Sequence, residues 1–155
     1  MGNFKTFMML LSVALSAGCA QITIGADSGC LTLGEAHHVL KVPGECGKTL
    51  AGEGHEICIA GYIDSRNVFD KSHYPRLPYE KFVLHDDQRD YSIEVWVESP
   101  ESSLIFDKIH RQKDLDRTLV YVTGTVSGFD MPVMERCTRG FKIILSNASH
   151  VRFSR

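Results

Sequence analysis

Neither sign of charge is in surplus in this 155-residue chain: 17 Lys and Arg face 19 Asp and Glu, a formal net charge of −2. Without a basic balance there is no electrostatic lure for nucleic acid or for an anionic lipid surface. Catalytic signatures are missing as well. No G-x-S-x-G, H-E-x-x-H or S-x-x-K occurs. Gly47-Lys48-Thr49 is not a phosphate loop, because Val42 stands where that motif needs its first glycine. Closely spaced cysteine pairs are also lacking. Cys30, Cys46, Cys58 and Cys137 are 16, 12 and 79 residues apart, which argues against a zinc cage. The seven histidines are scattered, and the one adjacent pair, His37-His38, would diverge by about 100° on a helix. These absences set four expectations: no enzyme activity, no catalytic residue, no cofactor and no metal site.

No uninterrupted apolar run reaches the roughly 20 residues that a bilayer takes; an uncharged run stretched across Cys19-Ala20-Gln21 and Thr23 to Ala26 would, which leaves an uncleaved anchor as the weaker alternative. The longest uninterrupted run, Thr6 to Gly18, has 13 uncharged residues after the single cation Lys5, the layout of a secretory signal. It ends in Leu15-Ser16-Ala17-Gly18-Cys19, which resembles the lipobox of bacterial lipoproteins. The resemblance implies a signal peptide over residues 1–18, cleavage before Cys19, and lipidation of Cys19. Ala20 in place of an aspartate after the cysteine implies the outer membrane, facing the periplasm. A triacylated cysteine, at about 0.8 kcal/mol per buried methylene, would hold the chain for its lifetime. A rival pattern, Met1-Gly2-Asn3-Phe4-Lys5-Thr6, satisfies the myristoylation motif, but it gives the following apolar run no purpose. Loss of residues 1–18 would leave 16 cations against 19 anions and four cysteines beside Cys19. An even number in an oxidising compartment reads as two disulfides in one of three connectivities.

Residues 19–50 read as a lipidated terminus and a flexible, glycine-crowded lead-in, with a short helix over Leu33 to Leu40 whose Leu33, Ala36, His37 and Leu40 share a face. Residues 51–155 read as one domain. From Glu56 the pattern has period two: Ile57, Ile59, Gly61 and Ile63 point one way and Cys58, Ala60 and Tyr62 the other. Tyr79 to His85 forms a second strand, closed by the charged turn Asp86 to Asp90. Tyr91, Ile93, Val95 and Val97 face inward on a third, with Ser92, Glu94 and Trp96 outward. Ser99, Pro100 and Glu101 are good cap, first-position and first-turn residues for a helix that buries Ile105 and Ile109 with Leu104 beside them. Strand pattern returns at Leu119 to Ser127 and at Phe141 to Leu145, and resumes near Val151 to Phe153.

Three strands, a helix and two strands in about 100 residues is the order of the OB-fold, a five-stranded Greek-key barrel; an SH3-like barrel or another α+β arrangement shares parts of it. Gly61 and Gly124 inside strand patterns suit bulges or sharp bends. Residues 56–153, through Ile59-Ala60-Gly61-Tyr62-Ile63 and Val122-Thr123-Gly124-Thr125-Val126, resemble the OB-fold domains of small bacterial envelope lipoproteins. In such a barrel the first and fourth strands are antiparallel, so Cys58, opening the first, is expected to pair with Cys137, following the fourth. Cys30 then pairs with Cys46.

Two long loops, 64–78 and 128–140, would flank the ligand face of such a barrel. They carry Arg66, Tyr74 and Arg76, and Arg136 and Arg139; Trp96 and Tyr121 on outward strand faces would extend a platform. The expected role is a non-catalytic binding module for an envelope protein or glycan. The competing role, a nucleic-acid or oligosaccharide-binding module using the same loops, lacks a basic groove: the first loop nets one positive charge and the second none.

Overall fold

The computed structural model describes residues 29–40, 45–134 and 136–154. The expected signal segment 1–18 and Cys19, the residue expected to be lipidated, lie outside the described residues. Seven strands and two helices follow in chain order: β1 (Leu31–Thr32), α1 (Leu33–Val39), β2 (Glu56–Phe69), β3 (Lys81–His85), β4 (Ser92–Val97), α2 (Ser102–His110), β5 (Leu119–Val133), β6 (Arg136–Leu145) and β7 (Val151–Phe153). The fold is mainly β. No described helix is long and apolar enough to cross a membrane.

Five strands close into a ring, β2-β3-β4-β6-β5 and back to β2. β4 and β6 run parallel and the other four pairs antiparallel, which is the connectivity of an OB barrel with α2 as the crossover. It is not a bare five-stranded barrel. β2 and β5 are long strands that change partners along their length, and the edge each would leave open is covered. β1 pairs with β2 at Leu31↔Ile59, ahead of β3, and β7 pairs with β5 at Val122↔Val151, ahead of β6. Covered edges remove unpaired N–H and C=O groups that would recruit other chains.

The alternating residues face as their period requires. Ile57, Ile59 and Ile63, then Ile93, Val95 and Val97, then Val120, Val122 and Val126, then Phe141, Ile143 and Leu145 are all buried in one core. Tyr91, expected inward, is exposed. On α2 the buried stripe is Ile105, Phe106 and Ile109, while Leu104 faces solvent. The helix also starts two residues later than Pro100: Ser99 Oγ accepts from the Glu101 N–H at 3.0 Å and orders the preceding turn. Glu101 is the N-cap through its backbone carbonyl, but its side chain makes no cap hydrogen bond. Its carboxylate accepts from the Ala148 N–H.

The described part of the lead-in, residues 29–40 and 45–50, is integrated into the fold rather than a flexible tether. Leu33, Leu40 and Leu50 are at most 3% exposed and belong to the same core. Thr32 and Glu35 form a reciprocal capping box that starts α1. Leu33 explains Gly61: a Cβ there would stand 2.7 Å from Leu33 Cδ1. At Gly124 a Cβ would stand 2.5 Å from the Ile144 carbonyl oxygen. Both glycines allow close approach rather than bulging, since β2–β5 register is continuous through them; the shift in β2 lies between Ile63 and Val68.

The four cysteines form two disulfides, but with the other partners. Cys30 is bonded to Cys58 (Cα–Cα 4.5 Å) and Cys46 to Cys137 (5.5 Å). The parallel β1–β2 register, Leu31 against Ile59, sets Cys30 directly beside Cys58. Cys137 pairs with Pro132, far out on β5, whereas Cys58 pairs with Thr123. At about 3.3 Å per residue those nine positions separate Cys58 and Cys137 by roughly 30 Å, too far for a bond.

Candidate functional site: the outer barrel face

Residues 128–133 and 136–140 are strand rather than loop. They form the outer half of the β5–β6 hairpin, paired from Gly128↔Phe141 to Val133↔Arg136. Residues 64–69 are likewise strand, so the first loop is confined to about 70–80. The hairpin is stiffened from one side. Arg139 bridges Glu53 and Asp130, each at 2.9 Å, Glu53 accepts from the Gly128 N–H, and Cys46 binds Cys137. Glu53 and Asp130 are held below the ordinary carboxylate range, Glu53 first by the Leu50 N–H and Asp130 first by Arg139.

Between this hairpin and the outer face of β3–β4 lies a groove of about 530 Å³. It is lined by Val83, Ser92 and Glu94 from β3–β4, by Phe129, Met131 and Arg139 from the hairpin, and by His37 from α1. Met131 is 42% exposed, and Tyr91, 5.1 Å from the His37 ring, is 43% exposed.

Next to the groove the same face carries aromatic rings interleaved with cations. β-register places Lys81 opposite Trp96 and Glu94 opposite Lys142. Glu94 accepts from Lys81 Nζ at 2.6 Å and from the Trp96 indole N–H at 2.7 Å. Partial burial would raise its pKa, but these two donors outweigh that and hold it ionised below its usual value. Lys142 Nζ lies 3.5 Å from the Trp96 ring centroid, Tyr79 packs 5.3 Å from it, and Lys81 lies within 5.8 Å of Phe69, Tyr79 and Trp96.

Of the residues expected to bind ligand, this face contains Trp96 and Arg139, with Tyr74 at its margin, 5.7 Å from Phe69. Tyr74 shares a shallow depression with Arg76. Arg66 is committed elsewhere: its guanidinium reaches Asp64 at 3.1 and 3.3 Å. Tyr121 pairs with Ala60 and Arg152, away from β4. Arg136 is exposed at the hairpin tip. Phe69, Phe129 and Met131 belong to the two segments expected to flank the ligand, whereas Tyr79, Lys81, Glu94 and Lys142 lie outside them, the last three on strands. Outward alternation on the second and last strands, Lys81-x-Val83 and Lys142-x-Ile144, was the available signal.

A second cluster sits at the foot of the 70–80 loop. Asp70, 2% exposed, directs Oδ2 at His73 Nδ1 (2.9 Å) and His110 Nε2 (3.0 Å). Burial pushes its carboxyl up, but hydrogen bonds from Ser72, His73 and His110 prevail and hold it well below the carboxylate range. These three are the described residues that could hold a metal.

No family model matches the sequence, and no curated protein matches it. Solved structures similar to it include an OBody bound to hen egg-white lysozyme (14% identity, 66% of this chain and 83% of that one, TM-score 0.46). Plasmodium falciparum SSB in complex with ssDNA is similar at 15% identity, 64% and 94% coverage and a TM-score of 0.42. A DUF3299 family protein from Pseudomonas aeruginosa PAO1 is similar at 15% identity, 79% and 77% coverage and 0.35.

Proposed function

We propose that this chain is a lipoprotein of the bacterial outer membrane, anchored through Cys19 and facing the periplasm, whose OB-type barrel is a non-catalytic module that binds a protein partner. The lipobox-like stretch Leu15 to Cys19 supports the anchor and the address. The observation that carries the binding role is the groove itself: apolar side chains line an open wall while its charged groups are already paired within the chain. Arg139 is ion-paired through its two terminal nitrogens with Glu53 and Asp130, and Glu94 with Lys81. Paired cations offer little to a phosphate backbone, which needs positive charge free to neutralise it. Exposed methionine and aromatic rims suit a polypeptide, since methionine adapts its shape to a partner and aromatics supply contact area.

Affinity isolation of the full-length protein from solubilised envelopes tests this. Wild type and a Tyr121→Ala control recover the same partner, and Met131→Asp loses it. Equal recovery with Met131→Asp removes the groove from the function.

The Tyr79–Trp96 pair favours a second reading, stacking of a sugar ring. Trp96 is the sole tryptophan, so its fluorescence reports directly on that face. A saturable change on adding envelope glycan fragments supports a glycan ligand, and an unchanged spectrum excludes one at Trp96.

A further inference from the structure

We infer that Asp70, His73 and His110 form a binding site for one divalent transition-metal ion, with zinc the best-suited occupant. Two imidazole nitrogens and a carboxylate oxygen are ligands that zinc takes readily. All three ligand atoms lie within 4.8 Å of one another. In a tetrahedral zinc site with bonds of about 2.0–2.2 Å, neighbouring ligand atoms stand roughly 3.3 Å apart. The observed 2.9 and 3.0 Å separations from Asp70 Oδ2 need to open only by a few tenths of an ångström.

The carboxylate is prepared for this. Asp70 Oδ1 accepts from the backbone N–H groups of Ser72 (2.8 Å) and His73 (3.0 Å) and from the Ser72 hydroxyl, and lies 3.1 Å from His73 Nδ1. Oδ2 is the oxygen that meets both imidazoles, and the bonds to Oδ1 are the kind of outer support that fixes a metal ligand's orientation. The Asp70 side chain is 3% exposed, and the side chains around it add more negative charge than positive. Glu80 and Asp107 line the adjoining cleft of about 260 Å³, where Lys71 is the sole basic residue besides His110. His73 and His110 are 61% and 39% exposed, so an ion has a path in and a fourth position open to water.

The three ligands come from two separate places. Asp70 and His73 belong to the turn that leaves β2, and His110 ends α2. A shared ion would therefore cross-link the loop to the helix, and fix the loop that carries Tyr74. This does not depend on what the outer groove binds.

Calorimetric titration of the metal-stripped, full-length protein in detergent with zinc chloride is the test. The expected result is one ion per chain. His73→Ala and His110→Ala should each weaken binding by more than the roughly 100-fold cost of losing a supporting group, while His38→Ala on α1 leaves it unchanged. His73→Gln, at the more exposed position, separates loss of a ligand from loss of fold: it must also lose the ion with Trp96 fluorescence unaltered. Absence of zinc binding by the wild type, or unchanged affinity in His73→Gln and His110→Ala, overturns the assignment.

Discussion

Lys142 holds its ammonium 3.5 Å from the centroid of the Trp96 ring, although the two residues lie on different strands and are not directly opposite each other. The contact is diagonal across the parallel β4–β6 pair, within reach of a long side chain and a large ring. It fixes the orientation of the one tryptophan on the outer face.

Removing that ammonium should cost a measurable part of the stability. Lys142→Ala is expected to lose about 0.5–1 kcal/mol, the range of a partly exposed cation–π contact. Urea denaturation followed by Trp96 fluorescence measures it, and a loss within error would make the contact incidental.

Cys46–Cys137 closes a span of 91 residues and ties the segment before β2 to the far end of the hairpin. The Cys46→Ser, Cys137→Ser double variant should lose about 2–4 kcal/mol. Peptide mapping of the wild type should give Cys30–Cys58 and Cys46–Cys137, and a Cys58–Cys137 peptide would contradict the register of β5 and β6.

Asp64 is buried against Arg66, Asn67 and Arg89, and the Arg66 guanidinium first among these holds its carboxyl far below the usual range. The folded state then binds fewer protons than the unfolded one between the two pKa values, so stability rises with pH there. The contribution is complete above the ordinary aspartate value near pH 4 and fades as pH falls below it. Unfolding midpoints measured across acid pH should fall less steeply for Asp64→Asn than for the wild type, from a lower starting value.

The two strand glycines should differ. A methyl at Gly124 meets the backbone oxygen of Ile144, which cannot swing away, whereas at Gly61 the nearest atom is the end of the Leu33 side chain. Gly124→Ala should cost about 1–3 kcal/mol, and Gly61→Ala less. Thermal unfolding of both variants decides the order.

Met134 occupies the hairpin tip fully exposed, with φ at +54°, in the left-handed region. Holding a residue other than glycine there costs about 1–2 kcal/mol. Met134→Gly should therefore raise the unfolding midpoint while weakening partner recovery, if the tip is retained for contact rather than for stability. Recovery equal to the wild type would show that the tip contributes no contact.

The sequence made the barrel legible where one face is buried and the other wet, as in Tyr91 to Val97 and Leu119 to Ser127. The inward glycines did not break that pattern. It failed where strands leave the core. From Asp130 to Thr138 the described side chains of the hairpin are exposed, and Gly128, Asp130, Pro132 and Gly140 read as loop because nothing there needs to alternate. The lead-in hid its role for a related reason: Leu33, Leu40 and Leu50 are single anchors between polar stretches. Disulfide partners depend on register, which the order of strands does not give. Asp70, His73 and His110 are brought together by α2 returning to the foot of the loop, and no local spacing records that.

The central claim is that the groove between the hairpin and β3–β4 is the binding surface. A photo-crosslinking amino acid placed at Met131, with Tyr121 as the remote control, tests it in intact envelopes. A discrete protein adduct from position 131 and none from 121 is the expected result. No adduct at 131, or the same adduct from both positions, would contradict it.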